Sequence, residues 1–214
     1  MKEDLYTSRK SYEKGALSEK SVANNPLQQF KSWYSECLES GGVVEVNAMT
    51  LTTIDLEGFP RGRVVLLKKY DAFGFYFYTN YDSEKGKSIE INNKVSLSFF
   101  WPNMERQIII KGTAKRTSNL DSEKYFHSRP KGSQIGALVS NQSTVIKNRD
   151  VLENHLKELE LEYENKEVPK PTNWGGYIVT PLTIEFWQGR PNRLHDRIRY
   201  TLDKGSWIIQ RLAP

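Results

Sequence analysis

The spacing of apolar positions changes several times along this 214-residue chain, and each change marks an element. Residues 1–23 are polar, hold no sustained period and read as a mobile arm. Leu27, Phe30, Trp33, Tyr34, Cys37 and Leu38 then recur at helical spacing. Asn25 can cap that helix, Pro26 suits its first turn, and Gly41-Gly42 stop it. A β-rich block follows. Ala48 to Asp55 is rich in Thr, and Arg61 to Tyr70, Phe75 to Thr79, Val95 to Trp101 and Gln107 to Arg116 read as further strands. Turns fall at Glu57-Gly58, at Asp71 to Gly74 and around Pro102-Asn103, and a short helix from Ser83 to about Asn92 interrupts the strands. Hairpins this closely spaced predict a meander that closes as an antiparallel barrel.

The middle of the chain is helical. Asn119 to Ser128, capped by Asn119 and halted before Pro130, and Ser133 to Ser140 are short helices. The clearest runs from about Arg149 to Asn165, with Leu152, Leu156, Leu159 and Tyr163 as its apolar stripe. That stripe suits either core or a subunit contact. Past Pro169 and Pro171 strands return: Trp174 to Thr180, Leu182 to Trp187, Asp196 to Leu202 and Ser206 to Leu212. Asp203-Lys204-Gly205 turns the last hairpin. No repeat and no break in composition demands a second domain. The expectation is a β-rich α+β chain, with an arm over residues 1–23 and one domain over residues 24–214.

Composition narrows the class. At 37% hydrophobic and 12% aromatic the chain is globular, and 214 residues can bury a sizeable core. No apolar run approaches the roughly 20 residues of a membrane span. Met1 to Tyr6 is charged and lacks the apolar stretch of a signal peptide. Cys37 is the only cysteine, which excludes an intrachain disulfide and a cysteine zinc cage and fits a reducing, cytoplasmic setting. The net charge of +5 is spread along the chain without a run of like charges. Small phosphorylated ligands therefore fit better than nucleic acid or a membrane surface.

Candidate chemistry concentrates in Ile184 to Arg197, which holds Phe186, Trp187, His195, Asp196 and the guanidiniums of Arg190, Arg193 and Arg197. Arg193, His195 and Arg197 are spaced by two, so on an extended chain they would point the same way. Such a row suits an anionic planar ligand, since arginine grips phosphate in a fork and histidine titrates near neutrality. Taken alone, the row better suits an edge strand with a solvated basic face. Arg63 and Lys68 differ by an odd number, and a regular strand would send them to opposite faces. Ser83 and Lys85 at a helix start, after Tyr78-Thr79, form a natural phosphate cradle. Tyr125, Arg129 and Ser133 around Pro130 could hold a compact phosphate or form a polar interhelical loop. There is no G-x-S-x-G, Walker A, H-E-x-x-H or G-x-G-x-x-G pattern. His127, His155 and His195 are far apart in sequence, so no metal is expected.

Taken in order, Arg63 to Lys68, Tyr78-Thr79, Lys85, Glu105-Arg106-Gln107, Tyr125 to Ser133, Gln142-Ser143, Ile184 to Arg197 and the closing Arg211-Leu212-Ala213-Pro214 resemble the pyridoxine (pyridoxamine) 5′-phosphate oxidase family. The resemblance covers the chain from about Arg9 onward. It implies an antiparallel FMN-binding split β-barrel with peripheral helices, and a homodimer with flavin at the subunit interface. By position it implies FMN contacts at Arg63, Val64, Val65, Leu66, Leu67, Lys68, Tyr78, Thr79, Lys85, Gln107, Gln142, Ser143, Trp187 and Arg197. The substrate phosphate would meet Lys68, Tyr125, Arg129 and Ser133. Arg193, Leu194 and His195 would flank the substrate ring, with Arg193 and His195 catalytic, and Arg9 to Tyr12 would fold over it.

The implied reaction takes pyridoxine 5′-phosphate or pyridoxamine 5′-phosphate to pyridoxal 5′-phosphate. Hydride passes to the flavin, Arg197 steadies the reduced ring, and molecular oxygen reoxidises it to give hydrogen peroxide. The family pattern has Arg before the lysine matched by Lys85, whereas this chain has Glu84, which cannot grip a flavin phosphate. Two other classes stay open: another split-barrel flavin oxidoreductase, and a non-catalytic binding protein for FMN or pyridoxal phosphate.

Overall fold

The computed structural model describes Tyr6 and residues 10–214. Helix α1 (Pro26–Ser40) starts and stops as its local chemistry dictates. Asn25 Oδ1 accepts the Leu27 N–H at 2.8 Å, and Gly41 leaves the helix at φ 64°. The strands are β1 (Ala48–Ile54), β2 (Pro60–Leu66), β3 (Lys69–Asp71), β4 (Gly74–Asn80), β5 (Lys94–Trp101), β6 (Arg106–Arg116), β7 (Trp174–Gln188), β8 (Asp196–Asp203) and β9 (Ser206–Leu212). The other helices are α2 (Glu84–Ile91), α3 (Asn119–Ser128), α4 (Lys131–Val139) and α5 (Asp150–Glu162). Hydrogen-bonded neighbours run β2-β1-β5-β6-β7-β4-β3, with β8 on β7 and β9 on β8.

The chain divides into two compact units. The first comprises residues 1–50, 96–111 and 181–214. Its core is aromatic. Phe30 meets Phe99 at 5.3 Å, Trp33 meets Phe186 at 5.2 Å and Phe186 meets Tyr200 at 5.6 Å, all edge-on. Burying each phenylalanine ring contributes about 1.5–3 kcal/mol, and edge-to-face geometry adds roughly 0.5–1.5 kcal/mol per pair. The Arg106 guanidinium caps Trp33 at 4.4 Å and is held by Glu36 at 2.6 Å and Gln188 at 2.9 Å. In the same unit β8 and β9 form a hairpin that turns at Asp203↔Ser206.

The second unit comprises residues 51–95 and 112–180. Here β4 runs antiparallel to β7, from Phe75↔Val179 to Asn80↔Trp174. Alternation buries Phe75, Phe77 and Thr79 and leaves Tyr76 and Tyr78 half-buried on the opposite face. Phe126, Ile135, Val168 and Trp174 form a core cluster, and Leu156, Leu159 and Tyr163 pack against it. Of the expected α5 stripe, Leu156, Leu159 and Tyr163 are thus partly buried against this core.

Four boundaries differ from the sequence expectation. The single strand expected over Arg61 to Tyr70 is two, because the chain changes partner at Leu67-Lys68: β2 neighbours β1, and β3 neighbours β4. The two strands expected on either side of Pro181 are one. Pro181 falls between the last rung to β4, at Val179, and the first rung to β8, at Thr183. The α3 cap is Ser118 rather than Asn119, its Oγ accepting the Asp121 N–H at 3.0 Å. Helix α4 begins at Lys131, just after Pro130, rather than at Ser133.

Candidate active site

A cavity of about 620 Å³ lies within the second unit, inside the range of small-ligand sites. Strand β2 contributes Val64, Val65 and Leu66, and β4 contributes Tyr78, Thr79 and Asn80. Lys68, Lys85, Tyr125, Arg129, Pro130, Ser133, Gly136, Ala137, Ser140, Gln142 and Trp174 complete the lining.

One cationic group centres on Lys85. Ser83 caps α2, which sets Lys85 in the first turn. Its Nζ donates to Gln142 Oε1 at 2.7 Å, Ser83 Oγ at 3.1 Å and Thr79 Oγ1 at 3.2 Å. Burial, then the charge of Arg63, push its pKa down to about 8. Arg63 is itself shifted down by burial and by Arg61, and it bonds Thr53 Oγ1 at 2.8 Å and Leu51 O at 3.3 Å. Two crowded, partly desolvated cations are an arrangement that an anion relieves. Glu84 is outside the lining. Its carboxylate pairs with Arg61 at 2.5 Å on the exposed surface, and its N–H donates to Ser143 Oγ at 3.3 Å.

A second group centres on Arg129. Tyr125 stacks on Tyr78 at 3.8 Å, and the Arg129 guanidinium lies over Trp174 at 4.7 Å. Arg129 Nη1 is buried and has no hydrogen-bond partner within the protein, and burial pushes the pKa of the group down. A guanidinium N–H desolvated without a partner is costly unless a ligand supplies an acceptor. The donor set suits a phosphate.

A third cluster sits in the first unit. Trp187 and His195 lie 4.7 Å apart, and Tyr12 stands edge-on to both at 5.7 Å. His195 Nδ1 accepts the Arg190 N–H at 3.1 Å, which leaves the neutral ring its proton on Nε2. Arg197, opposite Trp187 in the β7–β8 register, donates to Glu185 at 2.7 Å and to Ala213 O at 2.9 Å. The expected row of Arg193, His195 and Arg197 on one extended face does not form. Pro191–Arg193 is a single 3-10 turn, with Asn192 at φ 56° and Arg193 at φ 61°, and β8 starts only at Asp196.

Of the residues expected at the site, Val64, Val65, Leu66, Lys68, Tyr78, Thr79, Lys85, Tyr125, Arg129, Ser133 and Gln142 line this cavity. Leu67 is buried in the core, Arg63 and Ser143 hold neighbouring groups as described, and Gln107 lies half-buried on β6. Trp187, Arg193, Leu194, His195, Arg197 and Tyr12 do not line the cavity. Arg9 falls outside the described residues. The sequence reading does not reach Trp174, Ala137 or Ser140. A tryptophan just ahead of Gly175-Gly176 is the one signal that marked a platform there. Among the described residues no three His, Cys, Asp or Glu side chains gather as a metal site, and no helix is long and apolar enough to cross a membrane.

The fold is the antiparallel split barrel with peripheral helices. It is shared with PhzG from Burkholderia lata, in complex with tetrahydrophenazine-1-carboxylic acid, at a TM-score of 0.86 and 27% identity, covering 93% of this chain and 98% of that one. A pyridoxamine 5′-phosphate oxidase-related, FMN-binding protein from Nostoc punctiforme has the same fold at a TM-score of 0.71 and 14% identity, over 90% of this chain and 100% of its own. The chain belongs to the pyridoxamine 5′-phosphate oxidase family: residues 37–163 match that family, and residues 174–214 match the pyridoxine 5′-phosphate oxidase C-terminal dimerisation region. The pyridoxine/pyridoxamine 5′-phosphate oxidase of Flavobacterium johnsoniae is 59% identical over 211 residues, 98% of this chain and 99% of the relative. That of Christiangramia forsetii is 51% identical over 214 residues, the whole of both chains.

Proposed function

We propose that this protein oxidises pyridoxine 5′-phosphate and pyridoxamine 5′-phosphate to pyridoxal 5′-phosphate, with molecular oxygen as acceptor and hydrogen peroxide as second product. The cofactor is FMN. One observation carries the reading: a single cavity is lined by two cationic groups, Lys85 with Thr79 and Gln142, and Arg129 with Lys68, Tyr125 and Ser133. Cofactor and substrate each bring one phosphate and one planar ring. The crowded Lys85–Arg63 pair and the unpartnered Arg129 Nη1 fit those two phosphates.

When bound, FMN takes up the hydride that the carbinol or aminomethyl carbon gives up, and the protein supplies placement and electrostatics. Arg63, Lys85, Thr79, Gln142 and Ser143 hold the flavin phosphate, and Val64, Val65 and Leu66 with Tyr78 form the wall at its side. Lys68, Tyr125, Arg129 and Ser133 hold the substrate phosphate and so fix where the substrate ring can lie. The protein acts as a homodimer, which the match of residues 174–214 to a dimerisation region supports. A second copy brings Gln107, Trp187, Arg193, Leu194, His195 and Arg197 to this cavity, in line with the flavin site at a subunit interface that the family resemblance implies. Arg197 keeps a fixed cation at the flavin. His195, with Nδ1 occupied by the Arg190 N–H, donates from Nε2 and orients the substrate rather than removing a proton. Arg193 steadies the substrate ring, and Tyr12 covers it. The single free cysteine, Cys37, suits a cytoplasmic setting.

The test is the visible spectrum of the FMN-loaded protein under anaerobic conditions. Pyridoxine 5′-phosphate should bleach the yellow band, and air should restore it with one equivalent of hydrogen peroxide. Bleaching by a reduced nicotinamide alone points to the flavin-reductase class. Absence of bleaching by either phosphorylated substrate leaves only a binding protein.

A further inference from the structure

Glu105 follows the β5–β6 turn at φ 54°, and its side chain is only 2% exposed. None of the roles above uses it. A carboxylate buried this far requires strong partners. Its Oε2 accepts two backbone N–H groups, from Glu13 at 2.8 Å and Lys14 at 3.0 Å. Its Oε1 takes the Lys10 ammonium at 3.4 Å. All three partners lie on the arm, and they bracket Tyr12. The carbonyl of Glu105 accepts the Gly189 N–H at 2.8 Å, which ties the same residue to the end of β7.

Tyr12 is the side chain so placed, edge-on to Trp187 and His195. Gly189 leaves it room: a Cβ there would stand 2.8 Å from Tyr12 Cβ and Cγ and 3.2 Å from Glu105 Cβ. Further contacts fasten the arm downstream, among them Lys14 Nζ to Asn103 O at 2.6 Å, Arg190 Nη1 to Gly15 O at 2.9 Å, the Leu17 N–H to Asp196 Oδ2 at 3.0 Å and Arg211 Nη2 to Leu17 O at 3.0 Å. Among the described residues, Glu105 alone holds the stretch on both sides of Tyr12. Without the arm, its carboxylate would lose three of its partners at once.

We propose that Glu105 is a positioning residue for the oxidation: it clamps the Lys10–Lys14 segment so that Tyr12 is held against Trp187 and His195. It acts through Tyr12 and touches neither substrate nor cofactor. The inference rests on the reading of His195 as a substrate-facing residue. Because both amides bond the same oxygen, Glu105→Gln can keep them with its amide oxygen while losing the Lys10 ion pair. Glu105→Ala loses all three side-chain contacts and keeps the backbone bond to Gly189.

The test joins amide hydrogen exchange with steady-state kinetics on the FMN-loaded protein. The Glu13 and Lys14 amides should be protected in wild type and in Glu105→Gln, and should exchange freely in Glu105→Ala. The alanine variant should raise the KM for pyridoxine 5′-phosphate about 10-fold with kcat within about 2-fold, the loss expected for one charge-assisted anchor acting on binding. The glutamine variant should stay within about 3-fold. Tyr12→Ala with Glu105→Ala should be no worse than Tyr12→Ala alone. Should the alanine variant not fold, Glu105→Asp keeps the charge, withdraws the oxygens by one methylene, and should show the same losses in weaker form. Retained protection in Glu105→Ala, or additive costs in the double variant, overturns the proposal. Lost protection with an unchanged KM overturns it too, and the reading of His195 falls with it only if His195→Asn is also silent.

Discussion

Replacing Arg129 by alanine removes a cation that lines the cavity and has a buried N–H without a hydrogen-bond partner in the protein. Its guanidinium is held over Trp174 at 4.7 Å, and Nη1 is buried with no partner within the protein. The desolvation is therefore already present in the free protein, and a substrate phosphate restores a charge-assisted hydrogen bond. Loss of that bond should cost about 1.5–3 kcal/mol. At about 1.4 kcal/mol per decade this is a factor of roughly 10 to 150 in affinity. Nothing at Arg129 changes as hydride moves, so the loss should fall on KM and leave kcat within about 3-fold. Losing the cation–π contact should also cost roughly 1 kcal/mol of stability, which lowers Tm by about 2–4 °C. Oxygen uptake against pyridoxine 5′-phosphate concentration reads the first effect, and calorimetry the second. Arg129→Lys keeps the charge without the fork and should recover only part of the loss. A wild-type KM in Arg129→Ala, or an equal loss with unphosphorylated pyridoxine, would refute the assignment.

Lys85 predicts a pH dependence. With its pKa lowered from 10.5 to about 8, the free protein loses this cation as pH rises through about 8, so FMN affinity should fall above that pH. Riboflavin, which lacks the phosphate, should show no such fall in the same fluorescence titration, and Lys85→Met should abolish the difference. The unfolded chain binds more protons between about 8 and 10.5, so this residue should make the FMN-free fold more stable as pH rises through that window, measurable by urea titration. Arg193→Leu should slow anaerobic flavin reduction while FMN affinity stays near wild type, whereas Arg197→Leu should weaken FMN binding as well; equal effects in stopped-flow and binding assays would contradict the division of roles. Gly86→Ala should destabilise the fold by about 1–3 kcal/mol in a denaturant titration, since its Cβ would lie 2.0 Å from the Tyr81 carbonyl oxygen.

Elements defined by neighbours in sequence were legible. Asn25, Pro26 and Gly41 bound α1 because capping is settled within one turn. The Lys204-Gly205 hairpin turn likewise needs only local backbone, with φ of 47° and 83°. Where the chain changes pairing partner, local pattern failed. Proline ordinarily ends a strand, yet Pro181 sits inside β7 where one ladder has stopped and the next has not begun. The spacing of Arg193, His195 and Arg197 assumed an extended chain, and Asn192 with Arg193 at positive φ removed that premise. Lys68, Lys85 and Arg129, which their charge singled out in the sequence, line one cavity. Their partners were not legible there. Nothing near Arg129 in sequence announces Trp174, and nothing near Glu105 announces the amides of Glu13 and Lys14.

The ladder between β4 and β7 has a consequence for the order of folding. It pairs Phe75 with Val179 and Asn80 with Trp174, so its two strands are among the most distant partners in the chain. The β8–β9 hairpin closes through one turn and can form within microseconds, while the β4–β7 ladder must first close a long loop. Trp174 is both the last residue in sequence to line the cavity and the first rung of β7. On a ribosome every other wall residue has emerged before it. A nascent chain halted ahead of Trp174 carries the lysines and arginines of the pocket but no platform beneath Arg129. The walls of the cavity within one copy are therefore completed late and in one step, when β7 docks, rather than growing as the chain lengthens.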